Sequence, residues 1–361
     1  MKKSKDIWFL IAVLAALVLF SLLFIAKNKP SEKQTVKIGV VLPLTGDLSN
    51  VGEFMKNSIL LDTSDVDFVI EDCQGNPSKA TMAVNKLINT DHVSGIVSSL
   101  SFLSEAINPV CEKRNIPHFI LSFSPTLVEK GNVIQSFVST RLESEAFVQF
   151  IKDKDVKSVA FLRHQEPDAL YGFENIIKPE LQNMGVSIIE HTFNNNTVKD
   201  FKTEVLKIKQ SNPDLLVIQS LAFNIPNIMS AIKAYQITIP ILGDINFLDI
   251  QDQTTMKLVE GIPFVGVDYV LSNNYKNYKE KYIQKYNKQP FALGGFAYDL
   301  GRYLTVFSGE TSKDEILSTF NNATNIDIIN DFEGSRFDQN GQENVKCVIL
   351  TYRDCQIEEY K

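Results

Sequence analysis

Histidine and cysteine are scarce in this 361-residue chain, four of each, and neither is grouped. His92, His118, His164 and His191 have no ligand spacing, and Cys73, Cys111, Cys347 and Cys355 form no CxxC pair. No metal site or thioredoxin-like motif is therefore expected. Cys347 and Cys355 lie on segments that read as neighbouring strands, but a two-residue turn at Arg353 and Asp354 would not bring them face to face, so free thiols are expected. The motifs GxGxxG, GxxxxGK(S/T), GxSxG and HExxH are also missing. These are the local arrangements that cradle phosphates, expose a nucleophile or hold a catalytic zinc. No catalytic residue is assigned and no cofactor is expected. Positive charge is in deficit as well: 36 Lys and Arg against 43 Asp and Glu give a formal net charge of −7. Phosphate binding needs a basic surface, so a nucleic-acid partner is not expected. Composition is otherwise ordinary, 44% hydrophobic and 22% charged, with no signature of disorder or fibre. The length exceeds one ordinary core and suggests a short tail plus two α/β lobes.

What is present begins at the N-terminus. Lys2, Lys3 and Lys5 precede an uncharged apolar run from Ile7 to Ala26. A helix of about 20 such residues crosses roughly 30 Å of hydrocarbon. A cleavable signal has a shorter apolar region and small residues before its cut site, whereas Phe24 stands at the third position before Lys27. No cysteine occurs before Cys73, so a lipoprotein signal is excluded. The segment reads as an uncleaved signal-anchor, with a cleaved signal as the alternative. Residues 1–6 form a cytoplasmic tail, 7–26 a transmembrane anchor and 27–34 a polar linker. The leading lysines favour an inside N-terminus, leaving the remainder outside the cell membrane.

From Val36 onward, short β-branched runs alternate with longer amphipathic stretches, the pattern of βαβ units and a parallel sheet. Strands are expected at Val36–Leu42, Asp67–Asp72, Gly95–Ser99 and His118–Leu121. Asn76 reads as an N-cap and Pro77 as the first residue of a helix. The theme restarts with strands at Ser158–Leu162, Val186–His191, Leu215–Ser220 and Ile239–Asp244, which suggests a second, similar lobe. Phe264–Leu271 reads as extended. Tyr275, Tyr278, Tyr282 and Tyr286 recur at helical spacing and read as a packing face. The chain ends in a turn and a β-hairpin.

Serine-rich turns at the carboxyl ends of strands are the candidate site. SSLSFLS (98–104) leaves one strand and enters a helix, and SFSPT (122–126) leaves the next. Ligands of open α/β sheets bind at this edge, where helix N-termini present free N–H groups and hydroxyls suit a carboxylate or another small polar head. Ser and Thr are equally ordinary N-caps.

IGVVLPLTGDLSNVGEFMKNSILL resembles the opening of branched-chain amino-acid ABC transporter solute-binding proteins, the type I periplasmic binding family. EDCQGNPSKATMAVNKLINTDHVSGIVSS, VSTRLESEAFVQFI, ALYGFENI, YKEKYIQKYNKQP, FAYDLGRYL and FDQNGQ follow in the family's order. The resemblance implies two Rossmann-like lobes with parallel sheets, joined by three crossovers near Val138–Arg141, Val265–Val270 and Asp331–Phe337. Lobe one is then 35–140 plus 270–332, and lobe two 141–266 plus 336–361. It also implies a small polar ligand between the lobes, an amino acid by analogy, with an ABC permease as partner and a monomer as the default state. By position, Ser99, with Ser98 beside it, would hold a carboxylate, Ser122 and Ser124 would contact an ammonium, and Tyr171 would close from lobe two. Asp244, or Ile245 beside it, would face the ammonium, and Ala222 and Phe223 lie in a loop where an aromatic contact is common. Val51 departs from the family by standing where an aromatic is usual. A membrane-anchored sensor is the alternative to a transport component. An enzyme on the same scaffold is a third reading.

Overall fold

The computed structural model describes residues 36–194, 198 and 200–361. The apolar stretch 7–26 lies outside them. Among the described residues no helix is long and apolar enough to cross a membrane.

The first lobe opens with β1 (Lys37–Leu42), α1 (Ser49–Ile59), β2 (Asp67–Asp72), α2 (Pro77–Asn89), β3 (Gly95–Ser99), α3 (Ser101–Arg114), β4 (His118–Leu121) and β5 (Val133–Gln135). Its sheet runs β2-β1-β3-β4-β5, parallel throughout. The chain then builds α4 (Thr140–Asp153), β6 (Ser158–His164), α5 (Pro167–Gly172), α6 (Lys178–Asn183), β7 (Ser187–Phe193), α7 (Lys202–Ser211), β8 (Leu215–Gln219), α8 (Ile225–Ala234), β9 (Ile241–Gly243), α9 (Gln253–Leu258) and β10 (Phe264–Val267). Next come α10 (Asn273–Tyr286), α11 (Gly294–Leu304) and α12 (Lys313–Asn321), then β11 (Cys347–Arg353) and β12 (Gln356–Glu359). The second sheet runs β12-β11-β10-β9-β8-β6-β7, and only the terminal hairpin strands are antiparallel.

Local sequence explains these elements. β3, β4 and β8 are buried at every position, as strands covered on both faces must be. Asn76 accepts from the Lys79 N–H at 3.1 Å and Pro77 opens α2, as the sequence predicts. The tyrosine stripe is a packing face: Tyr275, Tyr278 and Tyr282 are buried, and neighbouring rings in the series lie 4.9–6.0 Å apart. Tyr278 shares a hydrogen bond of 2.8 Å with Ser58, and Tyr286 donates to the Asn57 carbonyl, which fastens α10 to α1. α11 is buried on all sides except at Arg302. All four cysteines are free thiols. Phe264–Leu271 is extended only as far as Val267 and then tightens into a 3-10 turn, Asp268–Leu271. Tyr269 is the reason: its ring packs edge-on against Phe296 and its hydroxyl donates to the Ala292 carbonyl at 3.0 Å.

Both lobes repeat one strand order, β2-β1-β3-β4-β5 and β7-β6-β8-β9-β10. That order reverses beside β1 and beside β6, and the crevice at the carboxyl ends there is where such sheets take ligands. Gln135 at the end of β5 pairs with the late segment 341–343: its N–H donates to the Gly341 carbonyl and its carbonyl accepts from Glu343. The Glu343 carboxylate is wholly buried and accepts from Ser136 at 2.5 Å and Asn330 at 3.0 Å. Asp299 of α11 accepts from the Ile329 and Asn330 N–H groups beside it.

Candidate functional site

Alternation along β3 separates its two serines. The Ser98 hydroxyl lies 2.7 Å from both Ser104 Oγ and His118 Nε2, and His118 Nδ1 is 3.1 Å from Asn108 Oδ1. This network sits under α3. Burial depresses His118 to about 3, so it is neutral and hydrogen-bonds as such. The Ser99 side chain points to the opposite face of the sheet. It is 0% exposed, and its hydroxyl has no hydrogen-bond partner in the protein.

The next residue is strained. Leu100 has φ 64° and ψ 130°, a conformation costly for a residue with a Cβ. That turn starts α3 at Ser101, whose hydroxyl donates to Asp168 of α5 across the lobes. One strand over, the Gln135 amide nitrogen donates to both the Ser122 carbonyl (2.6 Å) and the Ser124 carbonyl (3.1 Å). Gln135 thus holds the backbone of the turn after β4. The hydroxyls of Ser122 and Ser124 are buried and again without a protein partner. Phe123, between them, accepts at its carbonyl from Thr140 Oγ1 at 3.0 Å, tying this turn to the start of α4.

The second lobe presents acids. α5 lies directly on the first turn of α4, because a Cβ on Gly172 would meet Ser144 Oγ at 2.5 Å and Thr140 Cγ2 at 2.7 Å. That contact puts Asp168 beside Glu143. Glu143 accepts from the Ile245 N–H at 3.0 Å. Asp244 accepts from the Ser220 N–H (2.8 Å) and from both the backbone (3.2 Å) and the side chain (2.8 Å) of Asn246. Burial, then the neighbouring Asp168, raises Glu143 to about 7. Burial likewise raises Asp168 to about 6, with Glu105 and Glu166 adding to the effect against the Ser101 hydrogen bond. Asp244 is held well above the usual carboxylate range, first by burial and then by Glu143. The Gln219 side-chain amide oxygen, at the end of β8, is buried without a partner.

The residues expected from sequence therefore divide. Ser99, Ser122 and Ser124 stand together on one sheet edge, on strands paired so that Ser99 lies opposite Leu121. Half-buried Tyr171 shares α5 with Asp168. Asp244 lies behind Glu143 as the staple of its own loop. Ser98 is engaged under α3, and Phe223 is 61% exposed on a 3-10 turn. Sequence reasoning missed Ser101, Gln135, Glu143, Asp168 and Gln219. An acid in the first turn of a helix, such as Glu143, reads as an ordinary partner of the helix dipole. Among the described residues, no group of three or more His, Cys, Asp or Glu is placed to hold a metal ion.

A family model described as periplasmic binding protein matches residues 35–353. The chain belongs to the type I periplasmic binding protein family. Solved structures with the same fold include a leucine-binding protein of Thermotoga maritima, at 22% identity and a TM-score of 0.73, over 90% of this chain and 97% of that one. A branched-chain amino acid transporter substrate-binding protein of Streptococcus pneumoniae, in complex with isoleucine, is 19% identical with a TM-score of 0.73, over 90% and 98%. An ABC transporter solute-binding protein of R. palustris, in complex with benzoate, is 14% identical with a TM-score of 0.73, over 90% and 95%. A comparison with curated protein sequences finds no match.

The buried and half-buried acids of this periplasmic binding protein set an unusual pH dependence. Glu143, Asp249 and Glu343 are each raised to about 7 and Asp168 to about 6, with burial the largest cause throughout. The folded chain then holds protons that the unfolded chain has released, so stability falls as pH rises through the folded values, by at most about 1.4 kcal/mol per pH unit for each group. His118 and His164, depressed by burial to about 3 and about 4, oppose this only below their unfolded value near 6.5. The ligand-free melting temperature should accordingly fall between pH 6.5 and pH 8. Glu343→Gln should flatten that slope, and a melting temperature that rises over this range would contradict the assignment.

Proposed function

We propose that the chain is the extracytoplasmic solute-binding component of an ABC transporter, taking an amino acid or similar small polar solute between its lobes. The observation that carries this reading is the set of three buried hydroxyls, Ser99, Ser122 and Ser124, without protein partners at adjacent strand ends. Buried polar groups in native proteins are nearly always paired, so unpaired ones at a sheet's ligand edge point to a ligand. The α3 N-terminus beside Ser99 adds N–H groups suited to a carboxylate. The acids Glu143 and Asp168 supply the complement for an ammonium. The Ser101–Asp168 hydrogen bond spans the two lobes and acts as a latch on closure around the solute. Solved structures of the same fold carry isoleucine or benzoate. No turnover of the solute is proposed.

The apolar segment 7–26 is assigned the role of tether in the cell membrane, placing the binding module outside and beside its permease as a monomer. The same tether suits a sensor reporting to a partner protein. A permease deletion that leaves the ligand response intact would favour that reading. The direct test is a thermal-shift screen of the purified full-length chain against amino acids, aromatic acids, polyamines and sugars. A solute at about 100 times its Kd should add about 2.7 kcal/mol of stability. A cooperative melt unmoved by every compound would overturn the proposal.

A further inference from the structure

The charge of the cleft is one-sided. Glu143 and Asp168 lie side by side because α5 rests on the first turn of α4, and Asp244 adjoins Glu143 through the Ile245 amide. Beside burial, neighbouring carboxylates raise these three: Asp168 acts on Glu143, Glu143 on Asp244, and Glu105 and Glu166 on Asp168. Arg141, two residues before Glu143, is exposed and faces Glu145 at 3.8 Å, and Arg163 is paired with Glu190 on β7 and stacked 4.5 Å above the Phe173 ring. The opposite wall offers the wholly buried, unpartnered hydroxyls of Ser99 and Ser124.

We propose that the solute carries a net positive charge: an amino acid with a second cationic group, of the lysine, ornithine or arginine class. The inference rests on the solute-binding reading above. A zwitterion presents one ammonium to this wall, and the second, half-buried carboxyl must then stay protonated or go uncompensated. A second ammonium or guanidinium between Glu143 and Asp168 compensates it. The hydroxyls of the first lobe and the N–H groups at the start of α3 then take the carboxylate.

Lysine and norleucine differ only by the terminal ammonium, so they isolate this effect. Titration calorimetry of the full-length chain should show lysine or ornithine binding about tenfold or more tightly than norleucine. Glu143→Gln keeps an oxygen for the Ile245 N–H and should bring the two ligands near parity without abolishing norleucine binding. Asp168→Asn, which keeps an acceptor for Ser101, should do the same, and melting curves check that each variant is folded. Norleucine binding as tightly as lysine, with selectivity unmoved in both variants, would overturn the charge inference and leave the solute-binding reading standing. Putrescine binding as tightly as lysine would overturn the requirement for a carboxylate. No binding of any amino acid would overturn the reading beneath it as well.

Discussion

Ser98→Ala and Ser99→Ala should behave as opposites, although the two serines are adjacent. Ser98 hydrogen-bonds Ser104 and His118 in a buried network. Its loss leaves a buried group short of a partner, and the ligand-free protein should lose about 1–3 kcal/mol. Ligand affinity should be nearly unchanged once the protein is folded. Ser99 has no such partner, so the alanine variant removes a desolvated hydroxyl and should melt within about 0.5 kcal/mol of the parent, or slightly above it. Its affinity for the solute should fall about 10- to 100-fold, which corresponds to the 1.4–2.7 kcal/mol of a hydrogen bond to a charged group. Denaturant melts without ligand and calorimetry with it separate the two effects. If Ser99→Ala destabilises the ligand-free protein while binding normally, Ser99 is structural and the site is misplaced.

The second large effect lies away from the cleft, where α11 crosses α1. A Cβ on Gly301 would stand 2.4 Å from the Ile59 carbonyl oxygen, which is backbone and cannot swing aside. Helix propensity alone favours Gly301→Ala by about 1 kcal/mol. Overpacking of this kind costs about 1–3 kcal/mol and sometimes more, and because the contact is with backbone the upper end applies, so the contact should win, with a net loss of up to about 2 kcal/mol. Gly261→Ala is not a suitable control, because Gly261 has φ +76° and is strained by a side chain whatever the space. The better control is Ala297→Gly in the same helix, which should be destabilising through propensity and lost packing together. A Gly301→Ala variant more stable than the parent would show that the two helices can move apart at little cost.

Much of this was legible in the sequence, for reasons that are local. Short runs rich in apolar and β-branched residues, such as GIVSS and LLVIQ, read as strands covered on both faces, and the Asn76–Pro77 start and the tyrosine stripe carry their own periodicity and cap chemistry. Serines at the ends of strands placed the candidate edge, because alternating β and α elements send every carboxyl end the same way. The collinear family resemblance held as well, with the model matching residues 35–353.

Which serine hydroxyl is satisfied was decided only by tertiary structure, since Ser98 and Ser99 differ by one step of a pleat and by whatever His118, twenty residues later, brings beneath them. Glu143, Asp168 and Gln135 gave no local signal. Their pairing depends on Gly172 letting α5 rest on α4, and on β5 running beside β4, contacts between separate elements. A sequence determines the local preferences of each strand, cap and turn. The position of an acid against another acid follows from packing, where a missing Cβ or a buried amide sets the distance.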